Sequence, residues 1–152
     1  MKTIPTILAG SILLFSCNNT TEEQEKIKTE TVSQEQEHEH NENETIELNN
    51  GKKWKVDENM ITHIRNMEND VSNFKGTTLT EYKILSENLQ KNVDLLTSNC
   101  TMKGKAHDEL HKWLLPYIDL VKELSEAKDE TKAAKQFEYI QTSFLTFNQY
   151  FQ

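Results

Sequence analysis

The chain has 152 residues, with 17 Lys and Arg against 25 Asp and Glu, for a formal net charge of −8. That length supports one small core plus appendages, not several domains. The acidic balance offers no basic face to a phosphate backbone, which argues against nucleic-acid binding.

The first residues, MKTIPTILAGSILLFSC, combine a basic start (Lys2), an apolar stretch from Ile7 to Phe15, and a small residue, Ser16, before Cys17. This is the layout of a secretory signal over residues 1–16, too short to remain as a spanning helix. Leu14-Phe15-Ser16-Cys17 also resembles the bacterial lipobox. The resemblance implies cleavage before Cys17 and acylation of its thiol, which would hold the protein on a membrane surface through lipid alone. The plainer alternative is an ordinary signal with an incidental cysteine.

Residues 17–45 read as a lipidated cysteine and an acidic tether. From Asn18 to Thr45 there are nine Glu, two Lys and almost no large apolar side chain. Such a segment cannot bury enough surface to offset its ordering entropy. As a flexible coil it would span roughly 30 Å. It carries −7 of the charge, leaving 14 basic and 16 acidic residues, a balance of −2, over 46–152. His38 and His40 within it are ligand-type residues, but a charged low-complexity run reads first as a solvated spacer.

The remaining segment, 46–152, is expected to be all-α: an antiparallel four-helix bundle preceded by a short β-hairpin. In IELNNGKKWKV, Ile46 and Leu48 alternate, Asn50-Gly51 turns, and Trp54 and Val56 alternate back. An Asn-Gly pair between alternating runs signals a hairpin, with Trp54 as the apolar anchor. The first helix follows Asp57 as cap, recurs through Met60, Ile64, Met67, Val71 and Phe74, and is expected to stop at Gly76. A second runs from about Thr78 through Tyr82, Leu85, Leu89, Val93 and Leu96, with Cys100 one step further on the same face. A third starts after Gly104 with Ala106, Leu110, Trp113, Leu114, Tyr117, Val121 and Leu124, and contains Pro116, where a kink is expected. A fourth begins near Asp129 with Ala133, Phe137, Ile140, Phe144, Phe147 and Phe151. Steps of three and four with short polar breaks predict neighbours that run antiparallel.

The stretch NCTMKGKAHDELHKW, residues 99–113, gathers ligand-type side chains. With Cys17 acylated, Cys100 has no intramolecular disulfide partner. It reads as a buried small apolar residue on the second stripe, as an intermolecular disulfide, or as a metal thiolate. His107 and His111 stand four apart, a spacing that lets two imidazoles grip one ion. Cys100, the turn residue Met102 and the two histidines form a set that suits copper; without Met102 the set suits zinc with an open position. Met60, His63 and Met67 make a second soft cluster, which core packing explains adequately. No C-x-x-C-H, no phosphate-binding glycine pattern and no oxyanion-hole loop is present, so no enzymatic activity is expected.

NCTMKGKAHDELHKWLLP, with LNNGKKWKV ahead of it, resembles small bacterial envelope lipoproteins of unassigned function that end in a helical bundle. The resemblance implies a cell-envelope address and carries no activity. Two functional readings result. The first is a lipid-anchored envelope protein that holds or relays copper or zinc. The second is a metal-free module that binds another envelope protein, with Cys100 in the core and the aromatic-rich last helix filling the core or facing the partner.

Overall fold

The computed structural model describes residues 45–152; the signal-type segment, Cys17 and nearly all of the acidic tether lie outside the described residues. Four helices make up the rest: α1 (Glu58–Asn73), α2 (Leu79–Ser98), α3 (Lys105–Glu126) and α4 (Glu130–Tyr150). No strand forms among the described residues, only two isolated bridges.

Each helix presents one apolar face inward, because residues three and four apart stack on one side of a 3.6-residue turn. On α1 this places Met60, Ile64, Met67 and Val71 in the core; on α2 it places Leu85, Leu89, Val93 and Leu96 there. Leu110, Trp113, Tyr117 and Leu124 answer from α3, and Ala133, Ile140, Phe144 and Phe147 from α4. Burying each large aliphatic side chain is worth roughly 1.5–3 kcal/mol.

The helix directions follow from contacts at the two ends. Asn59, early in α1, donates its side-chain amide to Asn99 O just past α2 at 2.6 Å. At the opposite end Phe74, Tyr82 and Phe137 form an aromatic triangle with centroid separations of 5.1, 5.1 and 5.9 Å. Trp113 donates its indole N–H to Ser143 O at 2.9 Å, while Gln136 donates to Glu123, so α3 and α4 also run in opposite senses. Neighbouring helices therefore alternate up and down, as short connections require.

The helix boundaries have identifiable causes. Thr78 and Glu81 form a reciprocal capping box at the start of α2, and Asp129 accepts from Lys132 N at the start of α4. Asp57 precedes α1 without a side-chain cap; its carboxylate instead accepts from Thr101 Oγ1 at 2.7 Å. α1 ends before Gly76, at Phe74, whose extended backbone swings the ring onto Tyr82 and Phe137. Gly76 has a different role from a helix stop: a Cβ there would lie 2.5 Å from the Phe74 ring and 2.7 Å from Glu81 Cβ. α3 continues as one helix through Pro116.

Ahead of α1, Asn49 and Lys52 exchange backbone hydrogen bonds of 2.8 and 3.0 Å around Asn50 and Gly51, both at positive φ. That is the backbone an Asn-Gly two-residue turn adopts. Trp54 and Val56 then pair with the residues that follow α4. Trp54 N donates to Tyr150 O, Gln152 N donates to Trp54 O, and Val56 N donates to Gln152 O, at 2.8, 2.8 and 2.9 Å. Trp54, Val56 and Phe151 are all buried at this parallel bridge, so it closes one end of the core.

Candidate functional site

The α2–α3 connection is a short loop whose shape is set by side chains at its margins. Asn99 ends α2 by directing both its backbone N–H and its side-chain amide to Leu95 O, at 3.1 and 2.7 Å. Asn99 O and Thr101 Oγ1 are in turn held by Asn59 and Asp57 at the start of α1. Gly104, at φ 67, reverses the chain, and its carbonyl accepts from the backbone N–H groups of His107 and Asp108. A residue with a side chain is strained at that φ, which explains the glycine.

Within this loop Cys100 lies at the surface with a free thiol. The reading of Cys100 as the last core residue of the second stripe is therefore corrected. Helical arithmetic carries that stripe to position 100, but the helix ends at Ser98, and the chain leaves the helical register before the thiol is reached. Met102 takes the inward position instead, 8 % exposed and packed into the core. Nothing in the helical spacing announced that exchange, because Met102 lies outside any helix.

On the first turns of α3, His107 and His111 are both half-buried, and their ring centroids lie 4.1 Å apart at an interplanar angle of 57°. The four-residue spacing thus brings the two imidazoles side by side. Imidazoles are a ligand type that a borderline divalent ion accepts, and two of them make up half of a tetrahedral shell. Among the described residues no group of three or more His, Cys, Asp and Glu side chains is arranged to hold a metal ion. Of the four residues singled out around this corner, the fold brings the two histidines together, leaves Cys100 outside on the loop, and commits Met102 to packing.

The second soft cluster resolves into core. Met60 and Met67 are 1 % and 0 % exposed, while His63 is half-buried on their flank with its Nδ1 buried and unpartnered. A second buried polar atom without a partner is the Tyr117 hydroxyl. Burial, with a smaller contribution from the Asp70 charge, pushes this phenol far above its ordinary ionisation range.

A functional-type residue that periodicity passes over is Glu109. It is 2 % exposed, and its carboxylate accepts from the backbone N–H of Glu47 at 2.7 Å and from Lys112 Nζ at 3.0 Å. Lys112 also donates to Thr45 O at 3.3 Å, and the Trp54 indole donates to Glu47 O at 2.6 Å. A carboxylate this deeply buried requires such partners. The sequence signal for it was slight, a Glu beside Leu110 with Lys three residues on.

Elsewhere the surface carries open grooves. One of 290 Å³ between α1 and α2 is lined by Asp70, Phe74, Glu81, Ile84 and Leu85, among others. No helix among the described residues is long and apolar enough to cross a membrane. The chain matches no family model, no curated protein and no solved structure.

Proposed function

We propose that the chain is an exported envelope protein, anchored by lipid on Cys17, that holds or relays a soft or borderline metal ion, copper before zinc, at the α2–α3 corner of its bundle. The observation that supports this most directly is the 4.1 Å approach of the His107 and His111 rings on one helical face. Their imidazoles supply the first two ligands. The exposed thiol of Cys100 supplies the third when the 99–104 loop swings toward α3, and Met102 is the weaker fourth, since it must leave the core to bind. The chemistry proposed is that of a carrier: the ligands are side chains that bind and release an ion. The resemblance to small envelope lipoproteins, and the hairpin reading of residues 46–56 with its 49–52 turn as kernel, belong to this proposal.

The test is a competition titration of the reduced, unlipidated full chain with Cu(I), Cu(II) and Zn(II), alongside His107→Ala, His111→Ala and Cys100→Ser. Binding at one ion per chain that weakens at least tenfold in each histidine variant supports the site. Loss in Cys100→Ser as well adds the thiol to the shell. Equal binding in all the variants overturns it.

A second reading, a metal-free module for another envelope protein, draws on Ile84 and Leu95. These two large apolar side chains lie on the outer side of α2 and are 54 % and 46 % exposed. Ile84→Lys and Leu95→Lys would abolish capture of such a partner while leaving metal titrations unchanged.

A further inference from the structure

Among the described residues, the chain is attached to the bundle twice in series before α1 begins. The first attachment is made chiefly by side chains of α3 and Trp54 to the backbone of residues 45–47. Glu109 accepts the Glu47 N–H, Lys112 reaches Thr45 O, the Trp54 indole reaches Glu47 O, and Lys105 Nζ lies 3.2 Å from the Glu47 carboxylate. The second attachment is made by backbone, where Trp54 and Val56 pair with residues 150–152. Between the two, residues 48–53 are exposed throughout, including the Asn49–Lys52 turn.

The two attachments differ in kind. The first sets little apolar surface against the core, chiefly a half-buried Ile46, and the Lys105–Glu47 pair at its edge is 62 % and 67 % exposed. Segments with few buried apolar contacts open at far lower cost than the core beneath them. The second buries Trp54, Val56 and Phe151 at 8, 2 and 1 % exposure. A disturbance that arrives along the preceding chain therefore meets the weaker attachment first.

We infer that residues 45–53 form a releasable strap, latched on Glu109 and Lys112, that opens while the bundle stays folded and stops opening at Trp54. Release lengthens the chain leading to the bundle by nine residues, on the order of 30 Å of contour. It also uncovers the Glu109 carboxylate, the Lys112 ammonium and the Trp54 indole N–H. The buried carboxylate is what makes the strap a latch: an apolar residue at 109 would lie under the strap without holding a backbone N–H. This device stands independently of the metal reading, since the latch residues lie on a different flank of α3 from His107 and His111.

The two cysteines provide natural attachment points for single-molecule stretching of the unlipidated full chain, with handles on Cys17 and Cys100. The expected trace has a reversible lengthening of about nine residues at low force, followed by a separate, larger unfolding event. Glu109→Leu removes the first step, leaving the second unchanged. If that variant fails to fold, Glu47→Pro, at an exposed residue, deletes the donated N–H without entering the core and must have the same effect. Amide hydrogen exchange supplies an independent readout: the Glu47 amide exchanges at least tenfold faster than those of Val56 and Gln152, and Glu47 alone accelerates in Glu109→Gln. A single concerted event in the parent chain, or a first step that persists in both variants, overturns the inference. So does equal exchange at Glu47 and Val56.

Discussion

Tyr117→Phe should stabilise the bundle, and more so in alkali. The ring sits between Trp113 at 5.0 Å and Phe144 at 5.3 Å, both of which a phenylalanine would keep. What changes is the hydroxyl, buried in a residue with 0 % exposure and without a hydrogen-bond partner. Leaving such a group unpaired costs about 1–3 kcal/mol, and the small void left by its removal returns part of that, so a net gain of about 1 kcal/mol is expected. For a bundle of this size that corresponds to roughly 4 °C in Tm. The pH dependence gives the sharper test. Burial first, and the Asp70 charge second, raise the folded-state ionisation of Tyr117 well above its ordinary value of 10.0. A raised folded pKa means that the phenol's contribution is complete below pH 10 and is lost above it, where the unfolded chain releases the proton and the folded chain retains it. Wild-type stability should therefore fall relative to Tyr117→Phe by about 1.4 kcal/mol per pH unit above pH 10. Urea titrations of both proteins at pH 7 and pH 11 measure the gap, because the other tyrosines cancel in the difference. A variant less stable at pH 7, or a gap that does not widen, would refute the reasoning and indicate a hydroxyl that is satisfied in solution.

Three further outcomes are expected. Gly76→Ala should destabilise by about 1–3 kcal/mol, since the new methyl meets the Phe74 ring and forces the aromatic triangle apart; an unchanged thermal midpoint would show that the ring moves freely. Trp54→Ala should cost about 3–5 kcal/mol in urea unfolding, as it empties the buried anchor and removes the indole bond to Glu47; a loss below about 1 kcal/mol would place the anchor elsewhere. The Glu81 carboxyl is held below its ordinary value by the Thr78 backbone N–H first and the Thr77 N–H second. Its contribution is therefore present above the ordinary value of 4.5 and is lost as the pH falls through the lowered one. Glu81→Gln should accordingly lose less stability on acidification than the parent chain, a difference readable from thermal melts at pH 6 and pH 3.

The helices were legible because their signal is local. Spacings of three and four fixed the inward faces of α1 through α4, and residues such as Ile64, Leu89, Leu110 and Ile140 are fully buried as that pattern requires. The His107–His111 approach was legible for the same reason, since four residues on a helix determine the neighbourhood. Other features depended on side chains reaching across the sequence. Cys100 continues an arithmetic stripe, yet Asn99 takes Leu95 O twice and ends the helix first. The alternation of Trp54 and Val56 announced an extended segment but not its partner, which arrives after α4. Glu109 is buried because Glu47, 62 residues earlier, donates to it. Periodicity within α3 cannot register a contact of that kind.

The pairing of Trp54 and Val56 with residues 150–152 also orders the events of folding. The α1–α2, α2–α3 and α3–α4 contacts join neighbours in the chain and need only short loops to close. The Trp54–Phe151 bridge joins residues at opposite ends of the bundle sequence, so its closure carries the largest chain-entropy cost. It should form after the helical hairpins have brought its two sides together. Substitutions there would then leave the folding rate nearly constant and accelerate unfolding. The bridge thus works as the bundle's kinetic seal, setting how long the assembled helices stay assembled.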